Sequence, residues 1–218
     1  MKPEYLTIAP VYLLCDMDGT LVDTEGLKDE ALRRAIADAM GTDLDPEEQT
    51  RLYSQYVGMP GIDIARAMIR HHRLTISEEV LWGLREKHRR ALYSDVEALR
   101  TRMVSPVVAL VERFREGILV TGKGRTILVT TAGDDQVHAV LDATKLGHLF
   151  DLVVSGREKS RDNPACYRAA LEACGALPEE CLALEDSVAG YEAARSLAIP
   201  CLLLPNSYTR HQRLETGP

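Results

Sequence analysis

Asp16 and Asp18 stand two residues apart in Asp16-Met17-Asp18-Gly19-Thr20-Leu21-Val22-Asp23. Two carboxylates that converge this closely repel unless a cation or a proton intervenes. The cation that suits a set of oxygen ligands is hard, such as Mg2+. A second acidic pair, Glu185-Asp186, and a pair of hydroxyls, Thr130-Thr131, stand further along the chain. Acids can complete an oxygen-ligand set. A carboxylate can attack phosphorus to form an acyl phosphate. A neighbouring carboxyl group can protonate a leaving oxygen and then activate water.

Each of these groups follows a short apolar run, at residues 11–15, 126–130 and 182–184. Residues 152–154 and 201–204 form two more. Continuous apolar runs separated by single amphipathic helices imply a parallel sheet covered on both faces. In such α/β folds, ligands bind beyond the carboxyl ends of the strands. The expected core is therefore a Rossmann-like, three-layer α/β/α domain made of residues 1–23 and 104–218.

The rhythm breaks between the first two runs. Residues 24–103 carry helix after helix and no convincing strand. Ala31, Ala35, Ile36, Ala39 and Met40 make one apolar stripe, and Leu81, Leu84, His88 and Leu92 another. Asp45-Pro46-Glu47-Glu48 reads as a helix start. A crossover this long is an inserted all-helical domain rather than a loop. Thr121-Gly122-Lys123-Gly124 reads as a turn leading into the second strand.

DxDGTLVDTE directly after a strand, then Ile127-Leu128-Val129-Thr130-Thr131, then Glu185-Asp186-Ser187-Val188-Ala189-Gly190 resemble, in order, motifs of the haloacid dehalogenase superfamily. Residues 201–209 and the Thr130-Thr131 pair look most like its CbbY-like branch, close to beta-phosphoglucomutases. The resemblance implies Asp16 as nucleophile and Asp18 as general acid/base. It implies metal binding by Asp16, Asp18, Glu185 and Asp186, the Asp18 contribution through its backbone carbonyl. Thr130 is the expected phosphoryl-binding hydroxyl, with Thr131 as fallback. Gly19 and Thr20 are expected around the substrate. The inserted domain resembles the family's helical cap, where Gly58 lies in a loop and Glu25 points toward the cleft.

One position departs from the pattern. Relatives carry Lys-Pro-x-Pro-x-x-aromatic after the third strand. Aligning Pro164 and Tyr167 puts Arg161 in the lysine position, with Lys159 two residues earlier. Arg keeps the charge, but its planar fork does not replace a point charge. Lys159, Arg161 or neither can serve, and the last case implies a weak or inactive enzyme. Asn163-Pro164 reads as a helix N-cap and first helical residue.

The resemblance implies a Mg2+-dependent phosphatase of a small phosphorylated metabolite, a sugar phosphate above all. Two alternatives stand: a phosphosugar mutase, against which the missing arginine after Gly58 counts, and a non-catalytic phosphate-binding protein. A net charge of −7 excludes a general nucleic-acid binder. No apolar run is long enough to span a membrane. Met1-Lys2-Pro3-Glu4 lacks a secretory apolar segment. Five cysteines without metal-ligand spacing fit the reducing cytoplasm. A monomer or weak dimer is expected.

Overall fold

The computed structural model describes residues 10–118 and 123–214. The N-terminal segment and the turn read at Thr121-Gly122 lie outside the described residues. The chain divides into two compact units, one of residues 1–22 with 103–218 and one of Asp23–Arg102.

In the first unit the apolar runs form one parallel sheet. Its strands are β1 (Tyr12–Cys15), β2 (Arg125–Val129), β3 (Leu152–Val154), β4 (Cys181–Glu185) and β5 (Cys201–Leu203), ordered β3-β2-β1-β4-β5. The central strand is apolar throughout because both of its faces are covered: Leu13, Leu14 and Cys15 are all buried. Strand alternation sends Leu14, Ile127, Val129 and Ala183 to one face. There they pack with Tyr167 and Ala170 of α8 (Ala165–Cys174) and Ala193 and Ala194 of α9 (Val188–Ser196). Truncating a side chain such as Leu14 to Ala in this layer costs about 2–5 kcal/mol.

Two further helices of this unit also bury one face. Val107, Val111 and Phe114 are the buried positions of α6 (Ser105–Arg115), and Val137, Val140, Ala143 and Thr144 those of α7 (Asp134–Thr144). The arrangement is a Rossmann-like α/β fold.

The second unit is helical: α1 (Glu25–Met40), α2 (Pro46–Ser54), α3 (Gly61–His72), α4 (Glu78–Tyr93) and α5 (Val96–Arg100). Helix α2 begins as its sequence dictates, with Pro46 in the first turn and the Asp45 side chain accepting the Glu48 N–H at 2.8 Å. In α1, Ala31, Leu32, Ala35 and Ile36 are buried. Met40, expected in the same stripe, is exposed at the last helical residue.

Candidate active site

The register of the sheet builds the site. Cys15 pairs with Leu128 on one side and Leu184 on the other. Asp16 is therefore level with Val129 and Glu185, and its N–H donates to the Leu184 carbonyl at 3.0 Å. The chain passes from β1 through β2 and β3 before returning to β4 on the other side of β1. The carboxyl ends of β1 and β4 thus flank the point where the strand order reverses, the place open α/β sheets offer to ligands. Carboxylate oxygens of Asp16, Glu185 and Asp186 lie within 4.8 Å of one another, and all three residues are buried.

Lys159 supplies the cation. Its Nζ donates to Asp16 Oδ1 at 2.5 Å and to the Val129 carbonyl at 3.2 Å, and lies 2.9 Å from Glu185 Oε1. The loop after β3 makes this reach possible by folding on itself. The Ser160 N–H donates to the Asn163 carbonyl, and the Asn163 N–H donates to Ser160 Oγ. The Asn163 side-chain amide donates to Glu158. Asn163 does not cap α8, as its sequence suggested. The capping position is Pro164, and the Asn163 side chain is committed to the loop. Arg161 is exposed on the same loop, outside the acidic cluster.

Burial dominates the electrostatics. It pushes Asp16 above the usual aspartate range, against the pull of Lys159. It pushes Glu185 up to about 7, with the Asp16 charge adding and Lys159 and the Tyr167 hydroxyl opposing. Burial alone would lower Lys159, but the Asp16 and Glu185 carboxylates override it and raise its pKa. The Tyr167 hydroxyl donates to Glu185 Oε1 at 2.5 Å.

This donor set fits a hard divalent cation. Three buried carboxylates cluster together, and Lys159 pairs with two of them, Asp16 and Glu185. Glu185 Oε2 is buried and has no hydrogen-bond partner among the described residues. A buried carboxylate oxygen without a donor is costly, and a cation would satisfy it.

The remaining candidates fall in distinct places. Gln136, in the first turn of α7, donates its Nε2 to Asp18 Oδ1 and Oδ2 at 3.2 and 3.3 Å. Thr130 is fully buried one residue beyond β2, and its Oγ1 accepts the Ala132 N–H at 3.1 Å. Thr131 is the exposed hydroxyl of the pair. Thr20 is buried, and its hydroxyl has no hydrogen-bond partner among the described residues. Gly19 has φ +86°, and a Cβ there would overlap the Asp186 carboxylate. Glu25 and Gly58 belong to the helical unit. Glu25 is buried, with one oxygen on Lys28 Nζ at 2.7 Å and the other on the Tyr53 hydroxyl at 2.9 Å. Gly58 is exposed, with φ +94°.

Residues 12–197 match the family model of haloacid dehalogenase-like hydrolases, which spans every strand carrying the cluster. The chain belongs to this family. Protein CbbY of Cereibacter sphaeroides is 31% identical over 92% of this chain and 86% of its own length. The fructose-1-phosphate phosphatase YqaB of Escherichia coli (strain K12) is 27% identical over 84% of this chain and 90% of its own. The crystal structure of CbbY from Rhodobacter sphaeroides in complex with phosphate superimposes with a TM-score of 0.67 at 25% identity, covering 95% of this chain and 91% of that one.

Three contacts at the site were not announced by the sequence of this haloacid dehalogenase-like hydrolase. Gln136 reaches Asp18 across 118 positions, Tyr167 reaches Glu185 across 18, and Asn206 reaches Asp186 across 20. Tyr167 carried a usable signal, as the aromatic that closes the lysine-proline pattern. Gln136 and Asn206 carried none, because an isolated amide acquires meaning only from what the fold brings to it.

Proposed function

We propose that this chain is a Mg2+-dependent phosphoric monoester hydrolase of small phosphorylated carbohydrates, working through an aspartyl phosphate on Asp16. The observation that carries this reading is the contact of Lys159 with Asp16, beside Glu185 and Asp186 at the ends of β1 and β4. The phosphatase names borne by its relatives support the same reaction class. The hydrolase family and the carbohydrate-phosphatase names of two relatives support this reading over a mutase or a non-catalytic protein.

In the first displacement an Asp16 oxygen bonds to phosphorus and the bond from phosphorus to the sugar oxygen breaks. Asp18 gives that oxygen its proton. Lys159 offsets the repulsion between the Asp16 carboxylate and the incoming phosphoryl group. In the second displacement a water oxygen bonds to phosphorus, the acyl–phosphorus bond breaks, and Asp18 takes the water proton. Thr131, exposed two residues beyond β2, is the hydroxyl we assign to a phosphoryl oxygen. Asp16 and Asp186, with Glu185, would hold Mg2+ together with the Asp18 carbonyl, and the ion would neutralise charge on the transferred group.

We assign residues 24–103 the role of a cap that selects the substrate, with Glu25 and Gly58 as its candidate contributors. Small phosphorylated metabolites are the expected partners. The five free cysteines support a reducing, cytoplasmic setting. Among the described residues, no helix is long and apolar enough to cross a membrane.

The test is phosphate release from a panel of sugar phosphates with and without Mg2+, run beside Asp16→Asn. Release that needs Mg2+ and disappears in the variant is the expected result. Release at the wild-type rate from Asp16→Asn contradicts the mechanism. Isomerised sugar phosphate in place of inorganic phosphate points to the mutase, and no turnover on any phosphomonoester to the binding protein.

A further inference from the structure

The segment after β5 returns to the acidic cluster and makes contacts that the reaction steps above do not use. Asn206 Nδ2 donates to Asp186 Oδ2 at 2.7 Å and to the Gly19 carbonyl at 3.1 Å. Its Oδ1 accepts the Tyr208 N–H at 2.8 Å and the Thr209 N–H at 3.1 Å, with the Thr209 hydroxyl at 3.3 Å. This pattern fixes the amide's orientation, because the oxygen faces backbone donors and the nitrogen faces two acceptors. Tyr208 and Thr209 are buried, so the turn that carries Asn206 is packed in place.

The two acceptors stand on different elements. Gly19 belongs to the loop that follows Asp16 and Asp18, and Asp186 follows β4. One amide therefore ties together the two loops that carry the carboxylates. The fit is close: a Cβ on Gly19 would overlap the Asp186 carboxylate and stand 2.8 Å from Asn206 Nδ2. A hydrogen bond to one oxygen of a carboxylate leaves further lone pairs for a cation. Donors of this kind orient metal ligands, and losing them weakens metal binding.

We propose that Asn206 is a positioning residue for the metal site, holding Asp186 in its ligand orientation and setting the spacing between the Asp16 and Asp186 loops. This rests on the reading of Asp16, Glu185 and Asp186 as Mg2+ ligands. Asn206 acts through Asp186 and Gly19 and touches no reacting atom.

The test is calorimetric titration of the metal-free full-length chain with Mg2+, paired with its thermal unfolding. Asn206→Ala removes both sides of the amide. Asn206→Ser keeps a hydroxyl that can accept from the Tyr208 N–H and preserve the turn, but is too short to reach Asp186. Both variants should bind Mg2+ about 10–100-fold more weakly than wild type. The Mg2+ concentration for half-maximal phosphate release should rise by the same factor. Gln212→Ala is the control: the Gln212 side chain accepts the Val188 N–H at 2.9 Å and anchors the same tail elsewhere. It should leave the Mg2+ affinity at the wild-type value. Wild-type affinity in Asn206→Ser overturns the proposal alone. Equal weakening in Gln212→Ala overturns it too, since the tail and not the amide would then be responsible. A wild-type protein that binds no Mg2+ overturns both this proposal and the metal reading beneath it.

Discussion

Lys159 Nζ lies 2.5 Å from Asp16 Oδ1 and 2.9 Å from Glu185 Oε1, so one ammonium serves two buried carboxylates on adjacent strands. Its side chain is 6% exposed, and those of Asp16 and Glu185 are 6% and 1% exposed. Such an arrangement is asymmetric. Removing the cation strands two like charges in low dielectric, which costs far more than the pairing contributes.

Lys159→Ala should therefore lose about 3–5 kcal/mol of metal-free stability in urea unfolding. Its kcat should fall about 100- to 1000-fold even when Mg2+ restores the fold. Lys159→Arg should not recover the rate, because a guanidinium cannot place one charge between two oxygens in the same way. Arg161→Ala, at an exposed site, should stay within about 0.5 kcal/mol of wild-type stability and keep its turnover. A large loss in Arg161→Ala with none in Lys159→Ala reverses the assignment.

Which of these two cations serves was not legible beforehand. Motif alignment puts Arg161 in the lysine position, yet Lys159 is the preferred candidate of the two. The closure of residues 158–163 through Ser160, Asn163 and Glu158 turns Lys159 inward to Asp16 and leaves Arg161 exposed. The strands and the acid pairs were easier to read. Apolar runs bounded by acids leave little freedom once both sheet faces are buried, and the parallel register then sets Glu185 beside Asp16. Thr130 was expected within β2, but the strand ends at Val129 and the Thr130 hydroxyl accepts an N–H of its own turn.

The pH dependence of stability follows from Glu185, which burial first of all pushes from 4.5 to about 7. Between those values the metal-free folded state holds a proton that the unfolded chain has released. Stability from this group is thus complete below pH 4.5 and lost as pH rises through about 7. Melting temperatures in chelator at pH 5 and pH 8 should show a steeper decline in wild type than in Glu185→Gln. Mg2+ should reduce the wild-type decline, since it favours the ionised carboxylate. Identical slopes for the two proteins contradict the assignment.

Gln136 holds Asp18 through one amide nitrogen placed 3.2 and 3.3 Å from its two oxygens. If Asp18 protonates the leaving group, losing this tether should matter most where the leaving group is poor. Gln136→Ala should slow release from alkyl phosphates about 10-fold or more, but have little effect on p-nitrophenyl phosphate. Equal slowing on both substrates assigns Gln136 a structural role only.

Gly19 combines a left-handed φ of +86° with no room for a side chain beside Asp186. Gly19→Ala should cost about 1–3 kcal/mol in urea unfolding from backbone strain. It should also weaken Mg2+ binding by displacing Asp186, read by titration calorimetry. Unchanged Mg2+ affinity contradicts the close packing of the two loops.

The central claim is that Asp16 carries the phosphoryl group during turnover. Its most direct test is acid quenching of the protein during hydrolysis of its best sugar-phosphate substrate, followed by borohydride reduction and peptide mass analysis. Asp16 alone should be converted to homoserine, and Asp16→Asn should yield no converted peptide. Steady turnover with no conversion at Asp16, or with conversion at another carboxylate, contradicts it.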